Sequence, residues 1–189
     1  AGNLNNHFGV PMTLLACPEE ADVLVLELGT SSPGEIGFLQ AIVEPHVRLI
    51  VNVGPAHLEE LGGLDGVAVE KGAIFDGARP GDTVVINLDD PYVADMPIPD
   101  GVRRVTWGRA LEADIRIESV RVDVQTFQTS AMLNTPQGPL ALVLPVLGEH
   151  MIQNAAGALG VALGLNLDLQ HAVRALAGYE PVGMRMRLE

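Results

Sequence analysis

Lys71 lies on the apolar face of a predicted helix, where a charged side chain is unexpected. The stretch VAVEKGAIFDGA covers residues 67–78, and its apolar residues recur around Lys71 at steps of three and four. One interpretation is that the side chain reaches along the helix edge and keeps its ammonium hydrated. The other is that burial lowers the Lys71 pKa and makes a neutral amine available. Such an amine can take up carbon dioxide to form a carbamate, an anion suited to a site for Mg²⁺.

Glu27 and His57 are two further candidates, and both are associated with predicted strands. Glu27 lies within the apolar run VLVLELG, so its ionised form needs a cation or strong hydrogen-bond donors nearby. His57 follows the next apolar run, in the segment GPAHLEE. We expect both at the edge of a parallel sheet where the carboxyl ends of the strands meet, because ligands bind there. A capping carboxylate and an ordinary loop histidine are the alternatives.

Four other polar residues near these positions are candidates for contact with a substrate. Thr30 and Ser31 come just after the strand predicted to carry Glu27, and Asn5 and Asn6 lie in the amide-rich N-terminal segment. Hydroxyls and amides can bind a phosphate or a peptide, but the same groups also cap helices and form turns.

The segment GEHMIQNAAGAL places His150 and Asn154 four residues apart on one face of a predicted helix. An asparagine amide can read the edge of an adenine, whereas polar residues in a first helical turn usually act as caps. The pair Asp89 and Asp90 precedes Pro91, and this sequence is first of all a turn signal.

The elements that position these residues follow an α/β pattern. Short runs rich in β-branched residues predict buried parallel strands at 22–29, 47–54 and 82–90. Helical periodicity predicts helices at 33–43, 64–78, 148–164 and 168–178. From about residue 101 to 145 the pattern changes to a period of two, which predicts a small antiparallel sheet with one solvated face. Residues 1–100 and 146–180 therefore form the predicted α/β part.

Two local features refine this prediction. The serines before Pro33 and the carboxylate of Asp168 are expected to cap the helices that follow them. Three glycines in the helix at 148–164 are expected to allow close packing: Gly157, Gly160 and Gly164.

The composition limits the class of protein. The chain has 189 residues, of which 48% are hydrophobic, and a formal net charge of −13. This charge argues against nucleic acid held by a broad basic surface. A single cysteine excludes an intramolecular disulfide, and no apolar run is long enough to span a membrane. We therefore expect a cytoplasmic protein that binds small molecules.

Several of these segments, taken in order, resemble the central domain of the Mur ligases. The specific ones are GNLNNHFGVPMTLL, VLELGTSSPGEIGFL and NVGPAHLEELGGLDGVAVEKGAIF, supported by VINLDDP and LGEHMIQNAAGALGVAL. Among family members, the resemblance is greatest to those that add D-alanyl-D-alanine to UDP-N-acetylmuramoyl-tripeptide. It implies a mostly parallel, phosphate-loop type of sheet, with ATP and Mg²⁺ as cofactors and these two small molecules as substrates.

The resemblance also implies a role for each candidate. Glu27 and His57 match positions that hold Mg²⁺, and Lys71 matches a lysine that is carbamylated and supports the metal. Asn5, Asn6, Thr30 and Ser31 fall in segments that contact the substrates. Asn154, His150 and Arg185 match positions near the nucleotide. The implied reaction passes through an acyl phosphate of the tripeptide, which the amine of D-alanyl-D-alanine then opens.

The chain departs from the family pattern in one respect that matters for activity. No phosphate-binding loop of the form G-x-x-x-x-G-K-[ST] is present. We expect this loop, its strand and the flanking UDP-binding and C-terminal domains in a longer parent protein, which we expect to be a monomer. The chain by itself is then expected to be inactive and to expose a sheet edge through which it could self-associate.

Two other functions fit part of this pattern. One is the central domain of a Mur-type ligase with a different amino-acid substrate, or of a folylpolyglutamate synthase-like enzyme. The other is a non-catalytic domain that binds a nucleotide or a protein partner.

Overall fold

The computed structural model describes residues 4–179. These residues contain seven helices and six strands. The helices are α1 (Gly9–Leu15), α2 (Glu35–Val43), α3 (Leu58–Leu61), α4 (Leu64–Asp76), α5 (Pro91–Ala94), α6 (Glu149–Gly164) and α7 (Leu169–Ala177). The strands are β1 (Val47–Leu49), β2 (Thr83–Asn87), β3 (Arg103–Gly108), β4 (Ile115–Asp123), β5 (Gln128–Thr135) and β6 (Gly138–Leu144).

All six strands belong to one mixed sheet with the order β1-β2-β3-β4-β5-β6. Strands β1 to β4 pair in parallel, and β4, β5 and β6 pair in antiparallel fashion. The predicted α/β fold with a parallel and an antiparallel part is therefore confirmed. The two parts are continuous, because β4 pairs with a parallel neighbour on one side and an antiparallel neighbour on the other.

Strand β3 differs from the prediction, which grouped it with the antiparallel strands. It pairs in parallel with β2 from Arg103 to Trp107. Its residues alternate in sequence because its two faces are covered unequally: Val105 and Trp107 are buried, whereas Arg104 is exposed. Alternation of polar and apolar residues indicates that one face of a strand is buried, and it does not indicate whether the neighbouring strand is parallel or antiparallel.

The predicted strand at 22–29 is wrong for the described part of the chain. None of its residues pairs with a strand of the sheet, and Val25 is 83% exposed. The sequence has the β-branched composition of a strand, but a strand also requires a neighbour for its backbone hydrogen bonds.

The core lies on both faces of the parallel strands. On one face, Val85 and Trp107 pack with residues of α6. On the other face, Val84 and Ile86 pack with Phe75 of α4. Successive side chains of a strand point to opposite faces, so β2 is buried along its whole length. This sandwich of helices around the sheet holds α4 in a defined position against the strand ends.

The predicted helices are confirmed to within three residues at each end. Asp168 caps α7 by accepting a hydrogen bond from the Gln170 N–H at 2.9 Å. The serine cap predicted for α2 is wrong, because Gly34 holds the N-cap position, and the N–H groups of Gly34 and of Ile36 in the first turn donate to the Glu70 carboxylate of α4. In the described residues, no helix is both long enough and apolar enough to cross a membrane.

Gly160 confirms the prediction of close packing between α6 and the sheet. A Cβ atom at this position would lie 2.6 Å from a Cγ atom of Val85. Only glycine allows the helix to approach the strand this closely.

Candidate functional site

The loops that follow β1, β2 and β3 meet at the carboxyl edge of the sheet. The Val53 N–H donates to the Asp90 carboxylate at 2.7 Å, which joins the loop after β1 to the loop after β2. The Arg109 N–H donates to the Asp89 carboxylate at 2.7 Å, which joins the loop after β3 to the same place. This is the edge at which open parallel sheets bind ligands.

Lys71 reaches from α4 to this edge. Its Nζ donates to the backbone carbonyl of Asn52 at 2.8 Å. The side chain is half-buried, and Val67 and Phe75 on the same helical face are fully buried. Burial lowers the pKa of Lys71 from its ordinary value, and the Asp90 carboxylate partly opposes this decrease. The predicted place of Lys71 on the buried face of α4 is confirmed, and the direction of the pKa shift is the one that burial produces, whereas the carbamylation of Lys71 stays a prediction.

Asp90 has a structural role and also faces Lys71. Its carboxylate accepts hydrogen bonds from the Val93 N–H, which caps α5, and from the Val53 N–H. The turn interpretation of the pair Asp89 and Asp90 is therefore correct. The same carboxylate is the negative charge that acts on the Lys71 ammonium.

The N-terminal loop packs directly against the segment that carries Glu27. The Asn5 Nδ2 donates to the Glu27 carboxylate at 2.9 Å, and the Gly29 N–H donates to the Asn5 carbonyl at 2.7 Å. The Glu27 side chain is exposed, so it is accessible to a ligand. Asn6 serves a different purpose, because its amide oxygen accepts from the N–H groups of Phe8 and Gly9 at the start of α1.

Glu70 is a buried carboxylate of α4 that holds the loop before α2. Its two oxygens accept hydrogen bonds from the Gly34 N–H at 2.6 Å, the Ile36 N–H at 2.8 Å and the Thr30 hydroxyl at 3.0 Å. Only 6% of the residue is exposed. The helix that carries Lys71 therefore also positions the candidate substrate residue Thr30.

Glu35 holds the other half of the same loop. Its carboxylate accepts from the backbone N–H groups of Ser31 at 2.6 Å and Ser32 at 3.0 Å, and the Ser31 hydroxyl lies 3.3 Å away. The hydrogen bond from the Ser31 N–H, followed by that from Ser32, lowers the pKa of Glu35. The loop is thus held by one carboxylate of its own helix and one of α4.

His57 occupies the residue before α3 in a left-handed conformation, with φ of 51°, and its side chain is exposed. Among residues 4–179, no group of three His, Cys, Asp or Glu side chains is arranged to hold a metal ion. Mg²⁺ at phosphate-transfer sites commonly takes one or two protein ligands together with phosphate oxygens and water. The accessible Glu27 carboxylate fits that mode, in which the substrate completes the metal site.

The first turns of α6 are linked to the strand edge through Arg109. Its guanidinium forms an ion pair with Glu149 at 2.8 Å, while its backbone N–H bonds to Asp89. His150 and Asn154 are exposed on the same turns of α6, as a ligand contact requires. The third candidate for the nucleotide, Arg185, lies outside the described residues.

Three residues of this site were missed by the sequence interpretation, or were assigned only a turn: Glu70, Asp90 and Arg109. A signal for Glu70 was present, since Val67, Glu70 and Ile74 follow at steps of three and four and place a second charged residue on a buried face. For Arg109 no local pattern was available, because its partners are 20 and 40 residues away.

The chain matches one protein family over most of its length. The family model described as the Mur ligase middle domain matches residues 1–162. The UDP-N-acetylmuramoyl-tripeptide–D-alanyl-D-alanine ligase of Escherichia coli K12 is 38% identical over 170 residues, which cover 89% of this chain and 38% of the relative. The ligase of that name from Bacillus subtilis strain 168 is 31% identical over 192 residues, which cover 99% of this chain and 39% of the relative.

Solved structures of the same kind of protein share the fold. MurF from Acinetobacter baumannii matches with a TM-score of 0.89 and 33% identity, covering 96% of this chain and 40% of that one. MurF ligase from Thermotoga maritima, solved in complex with ADP, matches with a TM-score of 0.82 and 25% identity, covering 96% and 42%. The chain spans about two fifths of the length of these relatives. On the agreement of sequence and fold, it belongs to the Mur ligase family and corresponds to the family's middle domain.

Proposed function

We propose that this chain is the middle part of an ATP-dependent ligase that joins D-alanyl-D-alanine to UDP-N-acetylmuramoyl-tripeptide. The names of the relatives support the substrates, and the ADP complex of the Thermotoga maritima protein supports a nucleotide. The observation that carries the proposal is Lys71, a half-buried lysine with a lowered pKa at the ligand-binding edge of the sheet. The proposal includes a monomeric parent protein in the cytoplasm, where such precursors would be made.

Lys71 is assigned the role of a carbamylated lysine. Its neutral amine attacks carbon dioxide and loses a proton, which converts a cationic side chain into an anionic one. The remaining N–H of the carbamate can keep the hydrogen bond that Nζ now donates to the Asn52 carbonyl. The change of charge matters because an ammonium would repel a metal ion at this edge, whereas a carbamate supports one.

Glu27 and His57 are assigned to the Mg²⁺ site. Mg²⁺ when bound would neutralise charge on the phosphate groups of ATP. Asn5 orients the Glu27 carboxylate through its 2.9 Å hydrogen bond, so the carboxylate is held in place before any ligand arrives. His57 is exposed in the loop that also carries the Asn52 carbonyl.

The remaining candidates are assigned to the nucleotide and to the peptide substrates. Asn154, His150 and Arg185 are proposed to contact the nucleotide. Thr30 and Ser31 are proposed to contact the peptide substrates, together with Asn5 and Asn6. For Asn6 the amide oxygen is used in capping α1, so a substrate contact would be made by its Nδ2.

The proposal is tested with the complete gene product that contains this chain. Phosphate release from ATP is measured with UDP-N-acetylmuramoyl-tripeptide and D-alanyl-D-alanine, and with single amino acids in place of the dipeptide. We expect Mg²⁺-dependent release only with the dipeptide. Release with a single amino acid instead would identify a ligase with a different substrate. The absence of release with every acceptor would refute the proposed ligase activity.

Two variants test the assigned residues in the same assay. Glu27→Ala and His57→Ala are each expected to lower turnover strongly while the melting temperature changes little, because both side chains are exposed. Glu59→Ala, an exposed acidic residue of α3 near His57, is the control and should leave turnover unchanged. Equal effects of the control and the two variants would contradict the assignment.

A further inference from the structure

The loop between β1 and α3 is held in place by side chains of other elements. Within the described part of the chain, no backbone–backbone hydrogen bond outside helices and strands involves residues 51–56. Side chains of α4, of β2 and of the turn after β2 bond to this loop instead. The loop ends at His57, a candidate ligand of Mg²⁺, so these side chains set the position of that candidate.

One peptide unit of the loop joins Lys71 to Asp90. The carbonyl of Asn52 accepts from the Lys71 Nζ at 2.8 Å, and the N–H of Val53 donates to the Asp90 carboxylate at 2.7 Å. This carbonyl and this N–H belong to the same planar trans peptide and point in opposite directions. The position of the acceptor for Lys71 therefore depends on the orientation of this single peptide.

Asn87 fixes the peptide unit just before it. This last residue of β2 is only 5% exposed, and its Nδ2 donates to the Val51 carbonyl at 2.8 Å. Its Oδ1 accepts from the Asp89 N–H at 2.9 Å, a hydrogen bond that forms a turn. The donor and the acceptor of the buried amide are both used, and they have different tasks. The donor holds the loop after β1, and the acceptor holds the turn after β2.

We propose that Asn87 is a positioning residue of the candidate site, which acts on Lys71 and His57 through the loop after β1. The inference rests on the proposed function, because these two residues are assigned there to the reaction. When the Val51 carbonyl loses its donor, the next peptide can rotate, so its carbonyl no longer faces Lys71 in one fixed orientation. A carbamate on Lys71 loses the same fixed acceptor, since its N–H takes the place of the present donor.

The test compares Asn87→Ser with Asn87→Ala in the complete gene product. Serine is too short to reach the Val51 carbonyl but can form the same turn with the Asp89 N–H, whereas alanine can do neither. Both variants are expected to lower kcat and to raise the half-saturating Mg²⁺ concentration by about two- to tenfold, the loss of one neutral hydrogen bond. At saturating Mg²⁺ the KM of D-alanyl-D-alanine is expected to change by less than about twofold.

Thr83→Ser is the matched control. Thr83 is a buried polar residue at the other end of β2, only 4% exposed, and its Cγ2 lies next to Gly164 of α6. Loss of this methyl group is expected to lower the melting temperature and to leave kcat and the Mg²⁺ requirement unchanged. If Asn87 only stabilised the fold, its variants would behave as this control does.

A second measurement does not depend on turnover. With isotopically labelled bicarbonate at fixed pH, carbamate at Lys71 is measured by NMR as a function of bicarbonate concentration. Asn87→Ser is expected to need about two- to tenfold more bicarbonate for half-occupancy, because the carbamate loses its fixed acceptor. Thr83→Ser should match the unaltered protein.

The outcomes separate this inference from the proposed function. An active enzyme in which Asn87→Ser lowers only the melting temperature, or in which Asn87→Ala alone lowers kcat, overturns the inference and leaves the ligase assignment standing. An unchanged bicarbonate requirement in Asn87→Ser has the same meaning. A complete, unaltered protein with no ligase turnover overturns both.

Discussion

Replacing Glu70 with alanine is expected to destabilise the chain by about 2–4 kcal/mol. The change removes a carboxylate that is 6% exposed and that accepts three hydrogen bonds from the loop before α2. Among the described residues, no other side chain accepts a hydrogen bond from the Ile36 N–H, which belongs to a residue only 4% exposed. The change therefore leaves a buried donor without its partner.

The magnitude comes from two contributions. An unsatisfied buried N–H costs about 1–3 kcal/mol, and loss of the carboxylate that caps the first turn of α2 costs about 1 kcal/mol. The N–H of Gly34 adds little, because this residue is exposed and water can replace the carboxylate. Glu70→Gln keeps one acceptor oxygen and is expected to cost about half as much as alanine, roughly 1–2 kcal/mol.

The assay is urea unfolding of the chain followed by circular dichroism, together with thermal melting. For a chain of this size the alanine variant should melt about 5–15 °C lower. Asp76→Ala is the matched control, since Asp76 is an exposed acidic residue at the end of the same helix, and its effect should stay within about 0.5 kcal/mol. A Glu70→Ala variant as stable as this control would refute the reasoning.

Further predictions concern charge and packing. With isotopically labelled bicarbonate, carbamate should be detected by NMR in the unaltered chain and not in Lys71→Arg, and should increase with pH as the amine deprotonates. Asp90→Asn removes the charge that opposes the lowering of the Lys71 pKa, so carbamate should form at lower pH; an unchanged pH profile would contradict this. The pKa of Glu35 is lowered in the folded chain, so its stabilising contribution is present above the ordinary value of 4.5 and is lost as the pH falls through the folded value. Glu35→Gln should therefore weaken the acid dependence of the urea midpoint. Gly160→Ala should lower the free energy of unfolding by about 1–3 kcal/mol, because the new Cβ would clash with Val85 of β2. Gly37→Ala should raise it by about 0.5–1 kcal/mol, because the nearest atom to a Cβ there is 3.9 Å away and alanine favours the helix. The reverse order of melting temperatures would contradict the packing argument.

Features that depend on residues close in sequence were predictable. Helical periodicity located α4 and the face on which Lys71 lies, and the Asp168 cap followed from one residue and its position before an apolar run. The longer helices and the strands from β1 onwards also followed from local patterns. The prediction failed at residues 22–29, where composition indicates a strand but pairing depends on a neighbour that no local pattern specifies.

The candidate site was predictable in part for the same reason. Local sequence patterns placed His57 and the pair Asp89 and Asp90 after strands of the sheet, and they showed that Lys71 is unusual for its helical face, but they wrongly placed Glu27 at the end of a strand. The partners of these residues depend on the tertiary fold. Lys71 donates to the Asn52 carbonyl, 19 residues away in sequence, and Glu70 accepts from Thr30, 40 residues away. These contacts arise from packing α4 between the sheet edge and α2. Local patterns record which face of a helix is buried, and packing of whole elements decides what that face touches.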